Sequence, residues 1–143
     1  MIVLDTNVVS ELMRPAPVPA VLDWVDAQPP ADLAITAITA AELRAGVELL
    51  AAGRRRADVA RRMDRLLTRT FAGAIVPFDA DDTPHYGEIV AARQRAGRPI
   101  AALDAQIAAI CRNHDAQLAT RNVRDFADTG VDVIDPWHGD QPR

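Results

Sequence analysis

The sequence predicts an α/β fold, a three-layer sandwich in which a mainly parallel five-stranded sheet carries helices on both faces. Three observations lead there. Short branched apolar runs alternate with longer stretches of helical spacing along the whole chain. The first run, Ile2, Val3 and Leu4, is apolar throughout, as a strand covered on both faces should be. The 143 residues, 49% of them hydrophobic, suit one domain spanning 1–143, with about two-thirds of the unfolded surface buried.

The elements follow in order. "IVLD" (2–5) is the first strand, and Asp5 to Asn7 are suited to cap the helix behind it. That helix carries Val8, Val9, Leu12 and Met13 on one stripe and stops before Pro15. "RPAPVP" is a turn. Residues 18–28 are expected to be helical, with Val21, Leu22 and Val25 inward, and "QPPAD" closes them. "LAIT" (33–36) is the second strand. A long helix is expected from Thr39 toward Gly53, then a strongly Arg-rich helix over 54–71. Val59, Met63, Leu66 and Leu67 form the inward stripe of the latter. "AIVPF" (74–78) is the third strand. Helices follow over 81–96 and 103–114. "QLAT" (117–120) and "VDVID" (131–135) are the fourth and fifth strands, and Pro136 ends the regular structure.

Composition excludes several chemistries. All 16 basic residues are Arg, so there is no P-loop, Schiff-base or phosphoreceiver Lys. The net charge of −4 does not advertise nucleic-acid binding in bulk. The segment "GRRRADVARRMDRLLTR" is nevertheless basic, with seven Arg against two Asp. It reads either as a solvated helix or as an RNA-contact surface. The single Cys111 lies among Ile107 and Ile110 and reads as a buried structural thiol. No uncharged apolar run approaches the roughly 18 residues of a membrane span. No basic segment precedes the first apolar stretch, as a secretory signal would require. A cytoplasmic location is the expectation. Trp24 and Trp137 read as packing anchors rather than base-stacking platforms.

In a parallel sheet every strand ends, and every crossover helix begins, on one edge, where ligands bind. Asp5 ends strand one. Glu42 is expected in the first turn of the helix after strand two, and Asp104 in the first turn of the helix leading to strand four. Asn122 and Asp125 follow strand four. Singly, each has an ordinary explanation: Thr39 and Glu42 match a capping box, Asp104 favours a helix dipole, Asp5 is a good N-cap, and Asp125 a solvated turn acid. Capping does not, however, require these helix ends to be neighbours at the centre of one edge. Two carboxylates about 5 Å apart repel by roughly 3 kcal/mol at an effective dielectric near 20. Such a group calls for protons or a cation. An all-oxygen donor set without paired His or Cys selects Mg²⁺ or Mn²⁺, and Asp5 is expected to stand exposed at its strand tip as a ligand.

"MIVLDTN", "ITAAELRAG", "LDAQIAA", "LATRNVRDF" and the closing "PWHGD" together resemble the PIN-domain ribonucleases, in particular the VapC toxins and their FitB-like branch. The resemblance runs from residue 1 to about 140 and implies a PIN-like fold. It implies a Mg²⁺- or Mn²⁺-dependent endoribonuclease, the toxin half of a toxin–antitoxin pair. It also implies a homodimer held inactive by its cognate antitoxin, with transfer RNA as the favoured substrate class. Asp5, Glu42 and Asp104 match the three core acids and would be the metal ligands. Asn122 stands where many members carry a fourth acid, and Asp125, one helical turn on, is a candidate substitute. Thr120 matches a small hydroxyl residue of the motif. Thr120 and Arg121 are the expected substrate-binding pair, Arg121 as a phosphate contact.

Rival readings fare less well. A dinucleotide site would need Gly after the first strand. An aspartyl-nucleophile phosphatase would want an acid at position 7, where this chain has Asn7. A PIN-fold module that binds RNA or protein without cleaving, and a DNA-directed PIN nuclease, remain the alternatives.

Overall fold

The computed structural model describes residues 1–139. The last residue of "PWHGD" lies outside them. Five strands, β1 (Ile2–Leu4), β2 (Leu33–Thr36), β3 (Ile75–Val76), β4 (Gln117–Ala119) and β5 (Val133–Ile134), form one sheet in the order β3-β2-β1-β4-β5. All four pairings are parallel. Six helices connect them: α1 (Thr6–Leu12), α2 (Pro19–Asp26), α3 (Ala37–Glu48), α4 (Arg54–Arg65), α5 (Thr83–Arg95) and α6 (Ala102–Asn113).

Side-chain alternation on the strands builds three layers. Ile2 and Leu4 of β1 pack with Val8, Val9, Val21, Trp24, Leu43, Val47 and Met63. Val3 points the other way, into Ile89, Ile107, Ala108, Cys111 and Phe126. Thus α1 to α4 cover one face, and α5 and α6 the other. Cys111 is buried as expected, and burial, then the charges of Asp5 and Asp82, push its thiol up to about 12.

The order of the strands fixes where a site can form. From β1 the chain steps outward through β2 to β3, then returns to the opposite side of β1 as β4. The direction reverses between β1 and β4, and a crevice opens at their carboxyl ends. Asp5 and Thr120 sit there, each still on the ladder: Asp5 N–H donates to Ala119 O at 2.9 Å, and Thr120 N–H to Ile134 O at 2.9 Å.

Some boundaries differ from the sequence expectation. Helix α3 starts two residues early because Thr36, not Thr39, caps it; Thr36 Oγ1 accepts from Thr39 N–H at 3.1 Å. It ends at Glu48, and Gly53, at φ +150°, turns the chain into α4. The Arg-rich helix is α-helical only to Arg65, then widens to a π-helical turn over Leu66–Thr70. That turn carries Leu67 into the core ahead of Phe71. The edge strands are shorter than expected, two residues each; Pro77 has no N–H to continue β3. Leu22 is exposed rather than inward, and Trp24 takes the core position on α2.

Candidate active site

The switch-point crevice is a cleft of about 650 Å³. Asp5, Glu42, Asp104, Arg121 and Asn122 all line it, together with Asn7, Glu11, Arg14, Arg55 and Trp137. Four of the five expected site residues around the acid cluster therefore share one space. Asp125 lines the adjoining depression with Asn122, Arg121 and Asp135. A 3-10 turn over Val123–Phe126 carries Asp125 into that depression, with Asp125 N–H donating to Asn122 O at 3.0 Å. The charge of Asp125 still reaches both Asp5 and Asp104.

Asp5 is at the strand tip but is not exposed, contrary to expectation: only 5% of it meets solvent. Its two oxygens are held separately. Oδ1 accepts from Thr6 N–H at 2.8 Å, which caps α1. Oδ2 accepts from Thr120 Oγ1 at 2.7 Å. Thr120 is fully buried, and its hydroxyl oxygen accepts in turn from Asn7 Nδ2 at 3.2 Å and Asn122 N–H at 3.0 Å. Thr120 thus orients the carboxylate from beneath, and Asn7 ties β1 to β4 by also accepting from Arg121 N–H at 3.2 Å.

Glu42 lies a turn deeper in α3 than expected, since the helix begins at Ala37. The capping-box explanation of Thr39 and Glu42 therefore fails. Instead Thr6 Oγ1 donates to Glu42 Oε1 at 3.0 Å. Thr6 has one hydroxyl proton, and a carboxylate only accepts, so Thr39 must be the donor across the 3.1 Å Thr6–Thr39 contact. Asp104 is in the first turn of α6, as expected, but makes no capping hydrogen bond. Its dipole interaction does not account for its neighbours.

These neighbours set the electrostatics. Burial, then the charges of Asp5, Asp125 and Glu42, push the Asp104 carboxyl up to about 6, while Arg93 opposes them. Burial likewise raises Asp5 above the usual carboxylate range, against the hydrogen bonds from Thr120 and Thr6. The site therefore holds negative charge that the chain itself does not neutralise. As they stand, no three His, Cys, Asp or Glu side chains among the described residues close into a ready metal cage. The donor chemistry nevertheless fits a hard divalent cation: every candidate ligand is an oxygen, and no His lines the cleft.

Several neighbours have roles that the sequence did not show. Thr6 and Thr39 position Glu42. Glu11 on α1 is 5% exposed and pairs with Arg14 at 3.1 Å. Asn7 and Glu11 fall at i, i+4 on α1, and Arg14, just past its end, keeps that spacing at i+7, so the polar stripe was readable. Arg93, 5% exposed, donates to Arg98 O at 2.6 Å, Asp125 O at 2.5 Å and Ala127 O at 3.1 Å. It clamps the turn that carries Asp125, and nothing in the sequence pattern marks it.

The three-layer α/β sandwich with acidic side chains gathered at its switch point belongs to one fold class: the PIN domain profile matches residues 2–131. This chain belongs to the PIN-domain family. It is 42% identical over 137 residues to the VapC ribonuclease Y4jK of Sinorhizobium fredii, covering 96% of this chain and 98% of that one. It is 41% identical to Toxin FitB of Neisseria gonorrhoeae over 138 residues, 96% of this chain and 99% of that one. The crystal structure of FitAcB from Neisseria gonorrhoeae superimposes with a TM-score of 0.89 at 40% identity, covering 96% and 99%.

Proposed function

We propose that this chain is a Mg²⁺- or Mn²⁺-dependent endoribonuclease and the toxin component of a toxin–antitoxin pair. The observation that carries the reading is the convergence of Asp5, Glu42 and Asp104 on one cleft at the β1/β4 switch point, with Asp104 raised to about 6 by its neighbours. The relatives named ribonuclease and toxin support the substrate and the role.

Asp5, Glu42 and Asp104 would hold the ion, which when bound acidifies a water and offsets charge developing on the scissile phosphate. Thr120 and Thr6 fix the carboxylates of Asp5 and Glu42, so little reorganisation is needed when a cation arrives. Asn122 brings no charge to the fourth position. Asp125 adds its field from the adjoining depression and has no place in the cleft itself. Arg121 supplies a cation at the rim for the phosphate backbone. No Ser–His or Cys–His pair is needed, and Cys111, buried with its thiol near 12, is no nucleophile.

The partner reading rests on a second space. A groove of about 580 Å³ runs from Thr6 and Glu42 between α1, α3 and α4. Its walls are Met13, Leu43, Val47, Leu50 and Val59, and Arg54, Arg55 and Arg62 rim it. An apolar segment of a cognate antitoxin seated there would end at the acid cluster, where a basic side chain replaces the cation's charge. We infer a homodimer from the family alone. Among the described residues no helix is long and apolar enough to cross a membrane. A cytoplasmic location fits this reading.

The test is cleavage of structured RNA, transfer RNA included, against DNA of matched sequence, with and without Mn²⁺. The reading expects Mn²⁺-dependent RNA products ending in 5′-phosphate and 3′-hydroxyl. Products ending in 2′,3′-cyclic phosphate, DNA cleavage in preference to RNA, or RNA binding without cleavage would each overturn it.

A further inference from the structure

The closing "PWH" segment has no part in the acid cluster, yet it reaches the cleft. Trp137 lines the cleft beside Arg121, and the Arg121 guanidinium carbon lies 5.2 Å from the Trp137 ring centroid. Both partners are held from behind. Trp137 N–H donates to Asp135 Oδ1 at 2.9 Å, and Asp135 Oδ2 pairs with His138 Nδ1 at 2.7 Å. Pro136 is buried, and the ring packs against the core cluster of the α1–α4 face. Arg121 N–H is fixed by Asn7 Oδ1. Two strand ends, β4 and β5, thus deliver a stacked pair to one rim.

The choice of Trp has a cost. Its indole N–H is buried and meets no acceptor among the described residues. A Phe or Leu would avoid that penalty. What Trp offers instead is the most favourable face for a cation. A cation–π contact uses none of the guanidinium's N–H donors in a hydrogen bond, and it removes rotamer freedom before any ligand arrives. No carboxylate pairs with Arg121 among the described ion pairs, and the neighbouring position is the neutral Asn122. Arg14, also on the cleft, is by contrast tied to Glu11. In a cleft floored by acids, a polyanionic strand needs a free cation at the rim; Arg55 also lines the cleft outside the described ion pairs, but Arg121 is the one held over an aromatic ring.

We propose that Arg121 stacked on Trp137 is a phosphate subsite for the RNA strand, with Trp137 acting as a positioning residue through Arg121 rather than stacking on a base. This rests on the nuclease reading above. The test is anisotropy of a short fluorescein-labelled single-stranded RNA with intact protein in EDTA, across a salt series, for wild type, Arg121→Gln, Trp137→Leu, Trp137→Phe and the double variant Arg121→Gln/Trp137→Leu. Arg121→Gln should weaken binding by about tenfold and lower the salt slope by about 0.7, the loss of one phosphate contact on a single strand. Trp137→Leu should weaken it by severalfold, Trp137→Phe should retain most of the affinity, and the double variant should bind no worse than Arg121→Gln alone. Arg121 is exposed, so its variant carries the test even if Trp137→Leu fails to fold. Additive losses would mean that Trp137 contacts the RNA itself and would overturn its positioning role. Wild-type affinity and slope in Arg121→Gln, while the wild type cleaves RNA in Mn²⁺, would overturn the subsite alone. A wild type that neither binds nor cleaves RNA would remove the nuclease reading and the subsite together.

Discussion

Two buried aspartates stand at helix starts in this molecule, and they differ instructively. Asp82 is fully buried ahead of α5. Its Oδ2 accepts from Asp79 N–H at 2.8 Å, its Oδ1 from Asn113 Nδ2 at 3.0 Å, and it completes a reciprocal capping box. Asp5 is buried ahead of α1 and is itself the N-cap, its Oδ1 accepting from Thr6 N–H. There the likeness stops. Asp82 closes a local structure that needs nothing more. Asp5 faces Asp104, Glu42 and Asp125 across chain segments far apart in sequence. Burial of an acid at a helix start is therefore ordinary. Accumulation of acids that no local structure requires is what marks a site.

The largest expected effect separates the two regions outright. Asp5→Asn, Glu42→Gln and Asp104→Asn should each reduce RNA cleavage by roughly a thousandfold or more, with circular dichroism unchanged. Asp82→Asn should cleave at the wild-type rate. Its cost should appear instead in denaturant unfolding, at about 1–2 kcal/mol for a damaged cap. Wild-type activity in Asp104→Asn would place the acid cluster on the structural side of the comparison.

A second effect concerns the turn between the regions. Arg93→Met removes three hydrogen bonds from a buried guanidinium to main-chain carbonyls and should cost about 3 kcal/mol in urea unfolding. A loss below about 0.5 kcal/mol, the range of an ordinary surface substitution, would show that the turn holds without its clamp.

A smaller effect follows from Asp104 itself. Its folded-state value of about 6 lies above the unfolded 3.8, so the folded chain binds the proton more tightly. The resulting stabilisation is present below the unfolded value and is lost as pH rises through 6. In EDTA at pH 7, Asp104→Asn should therefore melt higher than wild type, by on the order of 1–2 kcal/mol after discounting for solvent screening, or about 2–6 °C. The gap should close as pH falls toward 4. Asp82→Asn should melt lower than wild type at pH 7. A melting gain for Asp104→Asn that is the same at pH 4 and pH 7 would exclude charge repulsion as its cause.

Much of this was legible in sequence. The strand–helix alternation, the parallel sheet and the carboxyl edge follow from periodicity, and the same alternation puts Asp5, Glu42 and Asp104 on that edge. What sequence misjudged was local competition. Thr36 outcompeted Thr39 as a cap because its hydroxyl meets Thr39 N–H, which moved Glu42 a turn inward and removed its ordinary explanation. Asp5 was expected in solvent, but Thr120, 115 residues on in the chain, covers it. Contacts of that separation leave no periodic trace, and neither does Arg93, whose partners are carbonyl oxygens present at every residue.

The comparison is tested most directly by calorimetric titration of Mn²⁺ into the metal-free protein at pH 7.5 and pH 5, for wild type, Asp104→Asn and Asp82→Asn. Protons and metal compete for the same carboxylates. The account predicts saturable uptake by wild type and Asp82→Asn at pH 7.5, marked weakening of both at pH 5 as Asp104 takes up its proton, and no measurable uptake by Asp104→Asn at either pH. Equal uptake by wild type and Asp104→Asn, or uptake indifferent to pH, would contradict it.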